Sequence, residues 1–143
     1  MKTLSKITLL AIFICPTMVF SQSILGIWKT VDDEDGLDKS KVEIYQENGK
    51  VYGKVIELLE AAEGTQCEKC KGDLKNADIE GMVILKDMEW DGESLDDGSI
   101  LDPKSGKTYS CSMELEGDDK LKLRGYIGFS LIGRTQYWYR VAE

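Results

Sequence analysis

No long window of the chain places apolar residues at the spacing of an amphipathic helix. Short runs rich in β-branched and aromatic residues instead alternate between apolar and polar positions, and clusters of Gly, Asp and Asn separate them. The pattern predicts about eight strands: Ile24–Val31, Ser40–Glu47, Lys50–Leu58, Met82–Trp90, Gly98–Asp102, Lys107–Glu116, Lys120–Ile127 and Arg134–Val141. Consecutive strands with mostly short connections predict an all-β fold, an antiparallel up-and-down meander that closes into a barrel or packs as a sandwich. The one long connection, Leu59–Glu80, is expected to begin with a helical turn over Leu58–Glu63.

Charge sets the register of two hairpins. Asn48-Gly49 is a two-residue turn signal, because the favoured hairpin turn needs positive φ at both central positions. Closing the chain there places Glu47 against Lys50, Tyr45 against Tyr52 and Glu43 against Lys54 on one face. The opposite face becomes Val42, Ile44, Gln46, Val51, Gly53 and Val55, and a one-residue slip would turn lysines toward it. With Gly117-Asp118-Asp119 as a loop, Glu116 meets Lys120 and Glu114 meets Lys122 outside. Tyr109, Cys111, Met113 and Leu115 then face Leu121, Leu123, Gly125 and Ile127 inside. Each hairpin has one wet face and one dry face, as a barrel wall requires.

The first residues follow a different pattern. Lys2 and Lys6 precede an apolar run from Ile7 to Phe20, which Pro16 interrupts and which falls short of the roughly 20 apolar residues of a membrane span. Cys15 follows Phe13-Ile14, where a lipid-attachment site needs a small residue. Residues 1–21 are therefore expected to be a signal peptide and residues 22–143 a single domain, periplasmic or secreted.

Composition narrows the chemistry. The chain carries 26 acidic residues against 18 Lys and Arg, a net charge of −8, and the expected signal peptide contains no acid. Such a balance argues against binding to a phosphate backbone and equally against docking on anionic lipid. Histidine is absent, which removes zincin and Ser-His-Asp chemistry. The expectation is a monomer with no catalytic residues, no cofactor, no metal, no nucleic-acid partner and no membrane span.

Gly26-Ile27-Trp28 on the first strand, with Arg140 on the last, resembles the closure signature of lipocalins and their calycin relatives. That resemblance implies that the first and last strands meet and that Arg140 stacks on Trp28, a cation–π contact of about 0.5–2 kcal/mol. Three further segments stand in order: Gly81–Leu85, Gly98–Tyr109 and Leu123–Gln136. Together with Gly26-x-Trp28 they resemble the bacterial domain-of-unknown-function family 2147. This likeness implies an exported lipocalin-like barrel and carries no established activity. Members often have a cysteine pair flanking the first hairpin turn; here those positions are Glu47 and Tyr52, so no role for such a pair carries over.

Candidate chemistry lies in the cysteines and the last strand. Cys111 falls on an apolar strand face opposite Gly125 and reads as a buried small hydrophobe. Cys67 and Cys70, in Cys-Glu-Lys-Cys, admit a local disulfide, a redox pair or part of a metal site, and pairing of either with Cys111 stays open. Export favours the disulfide. Lys69 and Lys71 would acidify redox thiols, but no thioredoxin-like βαβ pattern surrounds them, and a zinc site would need an acid as fourth ligand.

On the last strand Arg134, Gln136, Trp138 and Arg140 share one face, while Thr135, Tyr137, Tyr139 and Val141 share the other. The family-like pattern turns the first set inward. Arg134, Gln136 and Trp138 are then the candidate ligand-binding residues, with Arg134 suited to receive a carboxylate. The competing reading has Arg134 satisfy carbonyls of the Gly128–Gly133 loop. Acidic runs at Asp32–Asp35 and Asp96-Asp97 read as solvated turns. The first fails the calcium-loop template, since Val31 and Val42 would stand at its first and last ligand positions. No two acids are marked as a glycosidase pair.

The expected function is a non-enzymatic barrel that binds a small apolar or amphipathic ligand in its interior. The alternative is a sealed barrel whose loops meet an envelope protein. Bulky inward residues such as Trp28, Tyr109, Met113 and Trp138 could fill a barrel of this size, so the state of the interior separates the two.

Overall fold

Period-two alternation persists along the chain because every strand has one face to bury. The structure, a computed structural model, describes residues 23–129 and 131–142. The expected signal peptide lies outside the described residues. Eight strands follow one another: β1 (Gly26–Val31), β2 (Asp38–Glu47), β3 (Lys50–Leu58), β4 (Val83–Trp90), β5 (Leu95–Asp102), β6 (Lys107–Leu115), β7 (Lys120–Tyr126) and β8 (Gly133–Arg140). Each pairs antiparallel with the next, and β8 returns to β1, so the sheet is a closed barrel.

Both charge-set registers are present. Glu47 pairs with Lys50, Tyr45 with Tyr52 and Glu43 with Lys54, around a turn in which Asn48 and Gly49 have φ of 51° and 80°. In the second hairpin Glu114 pairs with Lys122, and the Glu116 amide donates to the Lys120 carbonyl at 2.8 Å. Val42, Ile44, Val51 and Val55 are buried. Gln46 is exposed, because it sits beside the turn beyond the packed interior. Ile127 also departs from expectation: β7 ends at Tyr126, and Ile127 is 67% exposed in the following loop.

Two elements differ from the sequence reading. β5 begins at Leu95 rather than Gly98. Its first residue is fully buried opposite Met113, while Asp96 and Asp97 conceal the strand pattern and Asp97 adopts a φ of 59°. The helical turn expected over Leu58–Glu63 is reduced to one hydrogen-bonded turn, in which the Ala62 amide donates to the Leu59 carbonyl at 2.9 Å, because Leu58 still pairs with Ser40 and the Leu59 amide donates to the Lys39 carbonyl at 2.9 Å. A single turn of 3-10 helix lies later, at Gly72–Leu74.

That long connection is a small folded unit. Cys67 and Cys70 form a disulfide, the Cys67 amide donates to the Ala77 carbonyl at 2.8 Å, and Gln66 bridges Asp78. The unit rests on the β5–β6 turn, where a side chain at Gly106 would collide with the Lys69 carbonyl. Cys111 is free, fully buried and opposite Gly125.

One end of the barrel is filled. Trp28, Ile44, Met88, Leu95, Met113 and Leu121 interdigitate there, each no more than 1% exposed. The Trp28 indole donates to the Ile24 carbonyl at 2.9 Å, and the Arg140 guanidinium lies over its ring at 4.3 Å. Arg140 also donates to the carbonyls of Ser23 (2.7 Å), Leu25 (3.2 Å) and Asp118 (2.9 Å). Gly26 makes this possible: its φ is 134°, and a Cβ there would stand 3.1 Å from the guanidinium. The arrangement ties β1, β8 and the β6–β7 loop into one plug.

Loss of the Arg140 side chain removes the ring contact and three charge-assisted bonds together. Arg140→Ala should lower unfolding free energy by about 1–3 kcal/mol, whereas Arg134→Ala, at an exposed position, should cost about 1 kcal/mol or less. Urea midpoints of the two variants test this, and equal midpoints would contradict the plug.

Burial pushes the Cys111 thiol up to about 12, with the Asp96 charge adding to the effect. The thiolate is therefore scarce at neutral pH. In the chain from Gln22 onward, thiol labelling of the folded protein should find no reactive cysteine. Reduction should release two loop thiols while the barrel stays folded, since the disulfide closes a very short loop. Rapid labelling of Cys111 before unfolding would refute that placement.

Candidate functional site

The opposite end of the barrel is not filled. A cavity of ≈ 670 Å³ opens there, within the range of about 300–1,000 Å³ usual for small-molecule sites. Its deeper wall is largely apolar, with Val55, Ile79, Ile84, Ile100 and Leu123 drawn from β3, the long connection, β4, β5 and β7, and Trp138 among its deeper residues. Of the bulky inward residues, Trp28 and Met113 fill the plugged half, whereas Tyr109 and Trp138 line the cavity, so the interior is not full. Gly125, on β7, leaves space where other strands carry side chains: a Cβ there would meet Tyr109 and Ile100 only at ordinary contact, 3.6 and 3.7 Å.

Among the described residues of the lining, Thr30 and Ser40 are the polar ones that are buried. Thr30 and Ser40 bond to each other through their hydroxyls at 2.8 Å, which satisfies two buried oxygens. Trp138 is 2% exposed and its indole N–H finds no acceptor among the described residues, in contrast to Trp28.

β8 supplies the rim. Arg134, Gln136 and Trp138 all line the cavity, from the mouth inward, as their alternation requires. Among the described residues, Arg134 makes no bond to a carbonyl of the β7–β8 loop. Its Nε and Nη2 instead donate to Oδ2 and Oδ1 of Asp33 at 2.9 and 2.6 Å, and Gln136 Nε2 donates to Oδ1 at 3.0 Å. Asp33 belongs to the β1–β2 loop. The reason for this contact lies in the seam: backbone pairing between β1 and β8 ends at Thr30–Trp138. Gln136 and Arg134 stand beyond that last pair and reach the loop through side chains alone.

The acidic run is therefore not merely a solvated turn. Asp32 caps the loop by accepting from the Glu34 amide at 2.8 Å, and Asp35 pairs with Lys39 at 2.6 Å. Lys104, from the β5–β6 turn, reaches Glu34 at 3.2 Å, Glu63 at 3.3 Å and Asp32 at 3.9 Å. Hydrogen bonding to Glu34 and Glu63 holds the Lys104 ammonium above its ordinary value. Three loops are thus joined around the mouth by exposed charge pairs, which solvent screens. Such a rim is stable enough to be occupied and weak enough to exchange. Asp33 and Lys104 escaped the sequence reading: Asp33 lies 101 positions from Arg134, and no local spacing signals the pairing. The disulfide occupies Cys67 and Cys70 with each other, and among the described residues no three His, Cys, Asp or Glu side chains are arranged to hold a metal ion.

Beside the mouth, the β7–β8 loop exposes Ile127, Phe129, Leu131 and Ile132, with Leu131 at 90%. No helix among the described residues is long and apolar enough to cross a membrane.

The geometry agrees with what the chain is similar to. The model of a family described as an uncharacterized protein conserved in bacteria (DUF2147) matches residues 26–140. The chain belongs to this family. Among solved structures, HP1028 of Helicobacter pylori, described as belonging to the lipocalin family, is similar with a TM-score of 0.75 and 23% identity. The likeness covers 85% of this chain and 84% of that one, and it shows the lipocalin-like fold. No curated protein matches the chain. Neither likeness assigns the family an activity, so the cavity and its rim carry the functional argument.

Burial pushes the Asp33 carboxyl up, but hydrogen bonds from Arg134 and Gln136, with the Arg134 charge, outweigh it and hold the group below its ordinary value of 3.8. A depressed carboxyl stabilises the contact above its unfolded value and loses it as pH falls through the folded one. The rim contact should therefore persist at neutral pH and release only below pH 3.8. Carboxyl-carbon NMR should give an Asp33 midpoint below 3.8 that rises in Arg134→Gln. An unchanged midpoint in that variant would mean that Arg134 does not hold Asp33 in solution.

Proposed function

We propose that this protein is an exported, non-enzymatic, monomeric binding protein that carries a small, partly apolar ligand in the open half of its barrel. The observation that carries the reading is the ≈ 670 Å³ cavity, apolar in its depth and polar at its mouth. Such a distribution suits a ligand with an apolar body and one polar end. The lipocalin-like fold supports the same reading, since barrels of this type enclose ligands in their interiors.

Export draws its support from Lys2, Lys6 and the apolar run Ile7–Phe20, which fit a signal peptide, and from the Cys67–Cys70 disulfide, which fits an oxidising compartment. The non-enzymatic part rests on the absence of His and on acids engaged in structural pairs around the mouth. A sealed barrel acting only through its loops on an envelope protein is the weaker reading, because sealing would need the interior to be full.

Native mass spectrometry of protein taken from its own cell envelope should show a retained small molecule. Filling the cavity supplies the second arm. In Gly125→Leu the added side chain has room to enter the open interior, and the first added carbon makes no clash. The variant should fold and should bind dodecanol, followed by tryptophan fluorescence, at least about tenfold more weakly than the wild type. Equal binding by a folded Gly125→Leu protein would move the ligand out of the barrel.

A further inference from the structure

We propose that Asp33 is a built-in occupant of an anion site at the cavity mouth, and that the ligand is a carboxylate-headed amphipath that displaces it from Arg134 and Gln136. The inference rests on the cavity reading above and adds to it the head-group chemistry and the gate.

The donors define the class of ligand. Arg134 presents Nε and Nη2 to two different oxygens, at 2.9 and 2.6 Å, and Gln136 adds a third bond at 3.0 Å. Two parallel donors from a planar guanidinium match the two oxygens of a carboxylate. The site is thus already shown holding the group it would accept. Arg134 and Gln136 line the cavity, whereas Asp33 reaches them from the loop side and is not part of the lining. A ligand head can therefore approach the same donors from within.

The seam makes displacement feasible. Since the β1–β8 ladder stops at Thr30–Trp138, the Asp33 carboxylate is bound to β8 through side-chain donors and not through backbone pairing. Releasing it breaks no strand hydrogen bond. Charge is conserved as well. The cavity lining contains the acids Asp32, Glu34, Glu63 and Asp102 and the cations Lys39, Lys69, Lys104 and Arg134. Replacing one carboxylate by another on Arg134 keeps its charge compensated, while the freed Asp33 passes into water. A neutral head group leaves Asp33 on Arg134 and gains no ionic contact there, and a cationic one would find Glu34 already paired with Lys104 and, at 3.4 Å, with Arg134, and Glu63 paired with Lys104. The tail then lies along the β8 face toward Trp138.

The test compares dodecanoate with dodecanol, which share a tail and differ in the head, by calorimetry and tryptophan fluorescence at neutral pH. Wild-type protein should prefer dodecanoate. Asp33→Ala should raise the ratio of dodecanoate to dodecanol affinity by about tenfold, because the internal competitor is gone. Arg134→Gln should abolish the preference, and Arg134→Lys should restore only part of it, since an ammonium keeps the charge without the planar fork. Both side chains project from the rim, Arg134 being 55% exposed, and thermal melts check that each variant is folded. An unchanged ratio in folded Asp33→Ala or Arg134→Gln overturns the proposal. If dodecanol binds and dodecanoate binds no better, the anion site fails while the cavity reading stands. If neither probe binds any variant, the cavity reading falls and the proposal with it.

Discussion

Everything in this molecule depends on a seam of three backbone pairs. Seven of the eight strand contacts join neighbours in sequence, through hairpins or the one long loop, but β1 and β8 come from opposite ends of the described chain. Their ladder pairs Trp28–Arg140, Lys29–Tyr139 and Thr30–Trp138, and the Val141 amide adds one bond to the Ile27 carbonyl at 2.9 Å just beyond it. Without it the sheet would expose two edges, each a template for pairing with another chain. So short a ladder is a weak return for bringing the ends together. The additional stabilisation comes from Arg140, which stacks on Trp28 and binds three carbonyls, and from the glycine that lets it approach.

The shortness of the seam also explains why the two ends differ. Where β1 and β8 are paired, the inward side chains are large and the interior is full. Past Thr30 the first strand parts from β8 and after Val31 enters the Asp32–Leu37 loop, while β8 continues with its backbone bonded to β7 alone. Its inward residues at that level, Gln136 and Arg134, face the loop instead of a neighbouring strand. A sealed floor and an openable mouth are therefore consequences of one geometric fact. The Thr30–Ser40 hydroxyl pair, beside a register shift in β1, marks the level at which one regime gives way to the other.

This division tracks what the sequence alone could disclose. Strand identity and hairpin register were legible because they are local: Glu43, Tyr45 and Glu47 meet partners a few positions away, and the period of two keeps Val42 and Ile44 on the opposite face. The first turn of β5 was hidden, because Asp96 and Asp97 resemble a loop although Leu95 beside them is fully buried. The inward face of β8 was read from a family-like pattern; hydrophobicity alone did not choose between Arg134-Gln136-Trp138 and Thr135-Tyr137-Tyr139. The partner of Arg134 was not legible at all. An acidic run beside a β-turn looks the same whether its carboxylates meet water or a guanidinium 101 positions away. The cavity was equally invisible, since bulky inward residues say nothing about which end of the barrel they occupy.

A gate made of exposed charges places a particular division of labour on the ligand. Exchanging Asp33 for a ligand carboxylate replaces one bidentate contact by another, so the head group contributes less than it would at an unoccupied site, though still enough to favour a carboxylate over a neutral head. Affinity must then come from the tail, at about 0.8 kcal/mol for each methylene buried against apolar walls. The head group selects, because only a second carboxylate can take the bidentate place of Asp33 on Arg134, while Glu34 stays beside it at 3.4 Å. A stronger gate would withhold the cavity from its ligand, and an absent one would leave an apolar chamber open to any hydrophobe of fitting size. The weakness of the Asp33 contact is thus a requirement of the arrangement, and a seam whose backbone pairing ends one step short of the mouth is what keeps it weak.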